Sequence, residues 1–463
     1  MTPHSVRRVL TAAALLLAGG ASSARAQSSA VPPTVALPPV NILLPNYNGV
    51  TIGEIASLEA GAFIVRANDT SSIFYNPAGV TNAERTSISG TAGVFQLSTV
   101  TAREAPTSGS SFQQIPAMFA VVVKELFGRP NWAGGLAVSR VNAWGQEVLA
   151  ERTLQVGNTV DRLSYASASS MDAWLANIGV GYRAGDKLRI GGSIDGQLTE
   201  NARDETIADQ YRDGNSLSTA LISASGSSWI THLRMTAGAQ YDLNAKVQVG
   251  AVIRTGGLGL MSSGSASLEG VSRAGTTTVT ASFFDNDGTA NYRLPFEAKA
   301  GVAYKFSRGQ IEFDVLSHMG AGVYDGFASD GHTTILTDTG TGVVTAEELP
   351  AVPEVIDSRS VVNVSIGGHY NLDPSGKWVV HGGYATDRSP VGEQDTVFTK
   401  VHLQKFTIGL SARTKYVLGS LGLQYASGSS GPIELRRLQS GRVFTTNFDV
   451  SNFGFVYSLA LLF

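Results

Sequence analysis

The last twelve residues of the chain, Asn452 to Phe463, alternate strictly. Phe453, Phe455, Tyr457, Leu459, Leu461 and Phe463 fall on one side of an extended chain, with Gly454, Ser458 and Ala460 on the other. Side chains along a strand point in alternate directions, so this segment offers an apolar face to one surrounding and a smaller, mixed face to another. As the edge of a soluble sandwich it would invite aggregation. As the closing strand of a bilayer-embedded barrel it is at home, because lipid covers the apolar face and closure removes the edge.

The other end of the chain agrees. Arg7 and Arg8 precede the apolar run Val9 to Leu17, and Ala24-Arg25-Ala26 supplies a small-x-small cleavage site, so residues 1–26 read as a secretory signal peptide. No later stretch approaches 18 uninterrupted apolar residues, so any membrane-embedded part is expected to be made of strands. Residues 27–50, with Pro32, Pro33, Pro38, Pro39 and Pro45, can form neither helix nor central strand and are expected to be a periplasmic lead-in.

From Thr86 onward the period is two. Fourteen stretches read as strands, from Thr86–Val100 to Asn452–Phe463, an even number as a bacterial single-chain barrel requires. Short links such as Ala184-Gly185-Asp186 and Ser307-Arg308-Gly309 alternate with long ones such as Glu200 to Ser228, Leu258 to Leu294 and Met319 to Arg359, the pattern of periplasmic turns and external loops. In the fifth stretch Leu188, Ile190, Ile194 and Leu198 face one way, while Arg189, Ser193, Asp195, Gln197 and Thr199 face the other. Trp174, Tyr182, Trp229, Tyr241, Tyr304, Tyr370 and Trp378 lie near strand ends, where aromatic girdles sit. A soluble barrel would invert these faces. The expected fold is therefore all-β, a fourteen-stranded antiparallel transmembrane β-barrel over residues 86–463.

Composition fits that reading. The net charge of −3 gives no reason to expect a nucleic-acid partner, there is no cysteine, and 52 of the 463 residues are glycine.

Between Thr51 and Arg85 the pattern is irregular. At Ser57 to Val80 the chain reads SLEAGAFIVRANDTSSIFYNPAGV, and here it resembles the amino-terminal segment of the FadL-like family of outer-membrane transporters for long-chain fatty acids and other hydrophobic compounds. The matching pieces are Ala60-Gly61-Ala62, Ala67 to Ser72 and above all Tyr75-Asn76-Pro77-Ala78-Gly79; Leu294-Pro295 with Ala300 to Tyr304, and Gly382 to Pro390, also match. The resemblance implies that residues 51–85 form a hatch plugging the lumen, with Asn76, Pro77 and Ala78 at its gating tip. It further implies that substrates are caught at the outer face, held in an internal pocket and released sideways through the third strand, where Gly134 and Gly135 mark the expected opening. Lumen filling by small residues is an equally good reading of that glycine pair. Phe463 is implied as the signal read by the barrel assembly machinery, with outer-membrane lipids and hydrophobic small molecules as the other partners and a monomer as the state.

Arg234, Arg254 and Lys299 share the lumen-facing phase and sit about eight residues from their short turns, so they are expected at one height. Three cations there suit a substrate carboxylate. With Glu297, Glu312 and Asp314 nearby, they also suit an ion-pair network that braces barrel and plug, and both readings stand. Residues Asn201 to Asn215 are strongly charged where the family has an apolar capture loop, which leaves the substrate open between fatty acids and smaller hydrocarbons or aromatics.

Enzyme signatures are missing. There is no Gly-x-Ser-x-Gly elbow, the seven histidines show no paired metal spacing, and Gly179-x-Gly181-x-x-Ala184 ends a strand with no helix after it. No cofactor is implied. The alternatives to a transporter are a general porin with an open bore or a structural barrel, and, less favoured, an outer-membrane lipase working through His232 or His318.

Overall fold

The computed structural model describes residues 44–47, 51–102, 107–351, 354–436 and 443–463. The expected signal peptide and most of the lead-in lie outside these. Fourteen strands form one closed antiparallel ring. In chain order they are β1 (Ser87–Ala102), β2 (Thr107–Lys124), β3 (Trp132–Val156), β4 (Thr159–Arg183), β5 (Leu188–Asp213), β6 (Ser216–Asp242) and β7 (Val247–Arg254). The ring continues through β10 (Glu297–Phe306), β11 (Gly309–His318), β16 (Val361–Asn371), β17 (Trp378–Asp387), β18 (Val401–Arg413), β19 (Val417–Ser430) and β22 (Phe448–Leu462). β22 pairs with β1 from Ser87 against Leu462 to Ala102 against Phe448, and the Phe463 N–H donates to Thr86 O at 2.9 Å. The terminal strand closes the barrel, as its alternation requires.

Outward positions are apolar. Ile178, Ile194, Met235, Ile253, Phe406 and Ile408 stand exposed on the outer face, while Ser193, Asp195, Thr236 and Arg254 are buried on the inner one. That is the reverse of a soluble barrel and suits a bilayer. No helix among the described residues is long and apolar enough to cross a membrane.

The strands run well past the apolar band at one end. The segments read from sequence as long loops are themselves paired. β3 and β4 turn at Gly157-Asn158, and β5 and β6 turn at Gly214-Asn215, both two-residue hairpins whose glycine has φ near +60° (60° and 57°). β8 (Leu258–Ala274) and β9 (Thr277–Ala290) add a third such arm. β12 (Gly322–Ala328), β13 (His332–Asp338), β14 (Val344–Pro350) and β15 (Glu354–Ser358) pair in the same upper region, and β20 (Ile433–Arg436) pairs with β21 (Val443–Thr446). The inner faces of these arms are partly buried, with Val148, Tyr165, Ile207 and Ile222 in one apolar cluster, but charged and small residues between them break the apolar alternation in sequence.

Residues 51–85 lie inside the ring at the short-turn end, as three short helical turns: Ala56–Leu58, Ser72–Tyr75 and Pro77–Asn82. Ile52, Phe63, Ile64, Ile73 and Val80 are all buried, and several pack with Ala120, Val122, Ala133 and Ala137 of the wall. What lets this plug sit so close is glycine. Gly135, Gly181, Gly191, Gly238, Gly250, Gly301, Gly367, Gly383, Gly409 and Gly422 stand one to a strand on β3 to β7, β10 and β16 to β19, each with a plug atom within 3.5 Å of where a Cβ would sit. Many are cross-strand neighbours: Gly181 with Gly191 and Gly191 with Gly238, Gly250 with Gly301, Gly367 with Gly383, Gly409 with Gly422. A Cβ on Gly191 would lie 2.5 Å from Ala78 N, and one on Gly383 would lie 2.6 Å from Glu59 O. Those are backbone atoms, which cannot swing aside.

The lead-in is placed differently from expectation. Of its residues only Leu44 to Tyr47 are described, and they lie in the lumen towards the long-arm end rather than outside the barrel. The Asn46 side-chain amide donates to Asp387 O at 2.9 Å and to Val401 O at 3.1 Å, and the Tyr47 ring stacks on His318 with centroids 4.5 Å apart. Strand-end carbonyls and an aromatic face hold a segment that forms no ladder of its own.

Gly191→Val and Gly383→Val should each leave the ring closed but unseat the plug, at a cost of about 1–3 kcal/mol for the overpacked contact. Planar-bilayer conductance is expected to rise in both, and to stay low in Gly196→Val, whose Cβ would meet nothing within 4 Å.

Candidate functional site

The plug is fastened to the wall by buried polar bonds. Asn76 takes an extended backbone (φ −156°, ψ 105°) ahead of the Pro77–Asn82 turn, where Pro77 occupies the first position that has no use for an N–H. Its Oδ1 accepts from Ala78 N at 3.1 Å, and its amide donates to Ile64 O at 3.0 Å in the plug and to Ala239 O at 3.1 Å on β6. Asn76, Pro77 and Ala78 are thus brought together at the wall.

Arg66 is the second fastening. Its guanidinium sits between Glu59 of the plug and Glu312 of β11, with Nε 2.7 Å from Glu312 Oε2. Glu312 also accepts the Val65 N–H at 2.7 Å. Arg66 is buried and the two carboxylates hold its charge in place; losing it would strand two buried anions.

Glu59, His369 of β16 and His381 of β17 place three ligand atoms within 4.8 Å of one another, a spacing that suits a metal. The Arg66 guanidinium already lies against Glu59 and 3.2 Å from His369 Nδ1, so the positive charge of this cluster is supplied by the chain itself. His381 also links Glu59 Oε1 at 2.7 Å to Ser411 Oγ at 2.8 Å, the bond order of a nucleophile, base and orienting carboxylate. Ser411 is buried under the plug, and the lumen cavity does not reach it. His232 Nε2 meets Tyr292 O at 2.9 Å, and His318 stacks on Tyr47; among the described contacts neither has a serine partner. The lipase alternative finds no nucleophile beside either histidine.

Above the plug lies a cavity of about 90 Å³, lined by apolar groups such as Phe74, Leu175 and Leu294 and floored by charge. Arg234, Arg254 and Lys299 meet there as expected, and they converge on one carboxylate. Glu297 lies 2.7 Å from Arg234, 3.4 Å from Arg254 and 3.1 Å from Lys299; Asp195 lies 3.3 Å from Arg254. Both arginines are further spent on backbone carbonyls, Arg234 on Pro295 O and Thr255 O and Arg254 on Phe74 O. Glu297, adjacent in sequence to the apolar Phe296 and Ala298, gave the signal for this pairing by sharing the phase of Lys299.

The cavity extends to Val141 and Asn142 on β3. Here the wall changes. β2 and β3 pair from Met118–Lys124 against Ala133–Ser139 and again at Thr107 against Ala150, and among the described pairings none joins them in between. The register shift between β3 and β4 at Arg140/Asn142 bulges Val141 out of the ladder, and the β2 register sets Pro116, which has no N–H to donate, opposite that bulge. Arg140, paired with Asp172 at 2.7 Å and lying over Trp174, flanks the break. Gly134 and Gly135, by contrast, are paired on both sides, with Val123 and Val122 and with Val180 and Gly179. Gly135 makes room for β2 and for Ile73.

Comparison with solved structures follows this architecture. The chain resembles the toluene transporter TodX of P. putida (TM-score 0.59, 15% identity), a FadL homologue of Pseudomonas aeruginosa (0.55, 12%) and CymD, a monoaromatic hydrocarbon channel (0.52, 16%). Each match covers 90% of this chain and 98–99% of the other. No family model and no curated protein matches the sequence.

Two variants test the fastenings. Arg66→Met should loosen the plug by about 3–5 kcal/mol, seen as faster proteolysis within residues 51–85 while the barrel keeps its heat-resistant migration on gels. Glu54 is buried in the plug beside Asp69, and burial with that neighbouring carboxylate pushes it up to about 8. The seated plug therefore holds a proton that a released plug gives up above its ordinary value of 4.5, so seating weakens as pH climbs from there towards 8 and is unaffected below. Glu54→Gln should reduce that pH dependence of proteolysis and protect the plug at pH 8, the remainder being carried by Asp69, which burial also pushes up. Over nine-tenths of its length, the chain has the fold of the FadL homologue and of the toluene and monoaromatic hydrocarbon channels.

Proposed function

We propose that this chain is a bacterial outer-membrane channel for the uptake of hydrophobic compounds, with the short turns in the periplasm and the long arms outside. The observation that carries the reading is a cavity that ends at an unpaired stretch of wall, while a fastened plug fills the bore below it. A molecule held in that cavity has a way into the membrane between β2 and β3 and none straight through. The hydrocarbon substrates named for similarly folded proteins support the same class. A general porin needs an open bore, and residues 51–85 occupy it.

Among hydrophobic compounds, small uncharged molecules such as monoaromatics suit the cavity better than long-chain fatty acids. Arg234, Arg254 and Lys299 already answer Glu297 and Asp195, so a carboxylate would have to displace an internal one. At about 90 Å³ the cavity is smaller than the roughly 150 Å³ that accepts benzene, so a ligand must shift part of the lining. Pro45 to Tyr47, held by side-chain contacts rather than by a ladder, are the part of the lining proposed to shift. In this reading Asn76, Pro77 and Ala78 hold the hatch rather than swing as a gate.

Uptake of labelled toluene and of a labelled long-chain fatty acid should be compared in wild type and in a variant lacking Val141, which restores the β3 ladder. Toluene uptake is expected to fall at least tenfold in the deletion with low conductance unchanged. Equal uptake in both proteins, or saturable transport of fatty acid alone, would contradict the reading.

A further inference from the structure

The outer end of the β17–β18 pair carries a group of cations with no internal use. On the lipid-facing side, Tyr384 of β17, Phe406 of β18, Tyr425 of β19 and Phe453 of β22 are successive cross-strand partners, and the Tyr384 and Phe406 ring centroids are 5.1 Å apart. Such a row marks the interface at the outer edge of the apolar band. Towards the long-arm end on the same face stand His402, four residues beyond Phe406, and Lys400, two further on; both are exposed. The β17–β18 register pairs Asp387 with Leu403, and one step further it sets Arg388, also exposed, against His402. At about 3.3 Å per residue and the usual strand tilt, His402 stands roughly 10 Å above the aromatic row. That is the depth of lipid headgroups.

The group is held in place by its own backbone. Ser389 N donates to His402 Nδ1 at 3.1 Å, which leaves the Nε2–H as the donor, and Arg388 N is fixed by Asn363 Oδ1 at 2.8 Å. Arg388 and Lys400 both lie within electrostatic reach of the ring. The nearby acids are otherwise engaged: Asp357 and Glu393 face Arg359. Neither Arg388 nor Lys400 forms an ion pair with a described residue, in contrast to Arg140, Arg162 and Arg203 on other outer arms.

We infer that Arg388, Lys400 and His402 form a docking site for the phosphate of an anionic lipid in the outer leaflet. The aromatic row receives the acyl chains and the three donors above it receive the phosphate oxygens, a division that a soluble phosphate cannot use. The inference rests on the outer-membrane orientation proposed above and not on the transported compound.

The test is native mass spectrometry of the purified full-length protein with a diphosphorylated glycolipid, its dephosphorylated form, and inorganic phosphate as competitor. Arg388→Gln with Lys400→Gln is expected to weaken binding of the phosphorylated lipid about twenty-five-fold, at roughly fivefold for each cation. Lys246→Gln with Lys305→Gln, at the opposite end, should leave it unchanged. Heat-resistant gel migration and retained toluene uptake in the first double variant separate loss of the site from loss of fold or of transport. Unchanged binding in that variant, equal binding of the dephosphorylated lipid, or full displacement by millimolar phosphate would each overturn the inference.

Discussion

The structure depends on how closely the plug approaches the wall. A fourteen-stranded ring leaves a bore too wide for its own inward side chains to fill, so something else must fill it. Thirty-five residues suffice because ten wall positions are glycine and the plug comes in close over them, with its backbone at Gly181, Gly191, Gly250, Gly367 and Gly383 and with side chains at the other five. Close packing of that kind excludes water between plug and wall. It also makes the buried fastenings workable, since Asn76 reaches Ala239 O and Arg66 reaches Glu312 only because the surfaces meet.

Sealing the lower bore decides where a substrate can go. The ladder between β2 and β3 lapses where the Val141 bulge faces Pro116, and the cavity arrives at that place. The three lumen cations serve first to join β5, β6, β7 and β10 around Glu297 and Asp195. Their hydrogen bonds to Phe74 O and Pro295 O tie plug and wall to the floor of the cavity. Bracing and binding thus share one surface, and the apolar walls above it are what remain for a ligand.

The membrane part of the fold was legible because lipid and lumen impose opposite demands on alternate residues. Each of the fourteen stretches read from period two corresponds to a strand of the ring, Val401–Arg413 without a change of boundary. Beyond the bilayer no lipid requires an apolar outer face, charged residues interrupt the alternation, and the arms of β3 to β6 read as loops although Val148, Tyr165, Ile207 and Ile222 are buried on their inner side; Gly157-Asn158 and Gly214-Asn215 are the hairpin signals that could have found them. The convergence of Arg234, Arg254 and Lys299 followed from phase and height. The wall break did not, because a bulge is a one-residue slip that leaves the side-chain pattern almost intact; Pro116 within a strand was its clearest trace. Gly134 and Gly135 lie in a fully paired part of β3, where their bareness serves packing. The place of Leu44 to Tyr47 in the lumen left no periodic signal at all.

The central claim is that the plug stays seated while substrate leaves through the wall. The chain has no cysteine, so a single engineered pair is unambiguous. The Thr70 hydroxyl of the plug and the Ser89 hydroxyl of β1 are in direct hydrogen-bond contact, so Thr70→Cys with Ser89→Cys can pin the plug to the wall without adding a side chain where there was none. Uptake of labelled toluene by this variant, measured oxidised and reduced, is predicted to be the same in both states. Uptake that vanishes on oxidation and returns on reduction would contradict lateral release past a fixed plug.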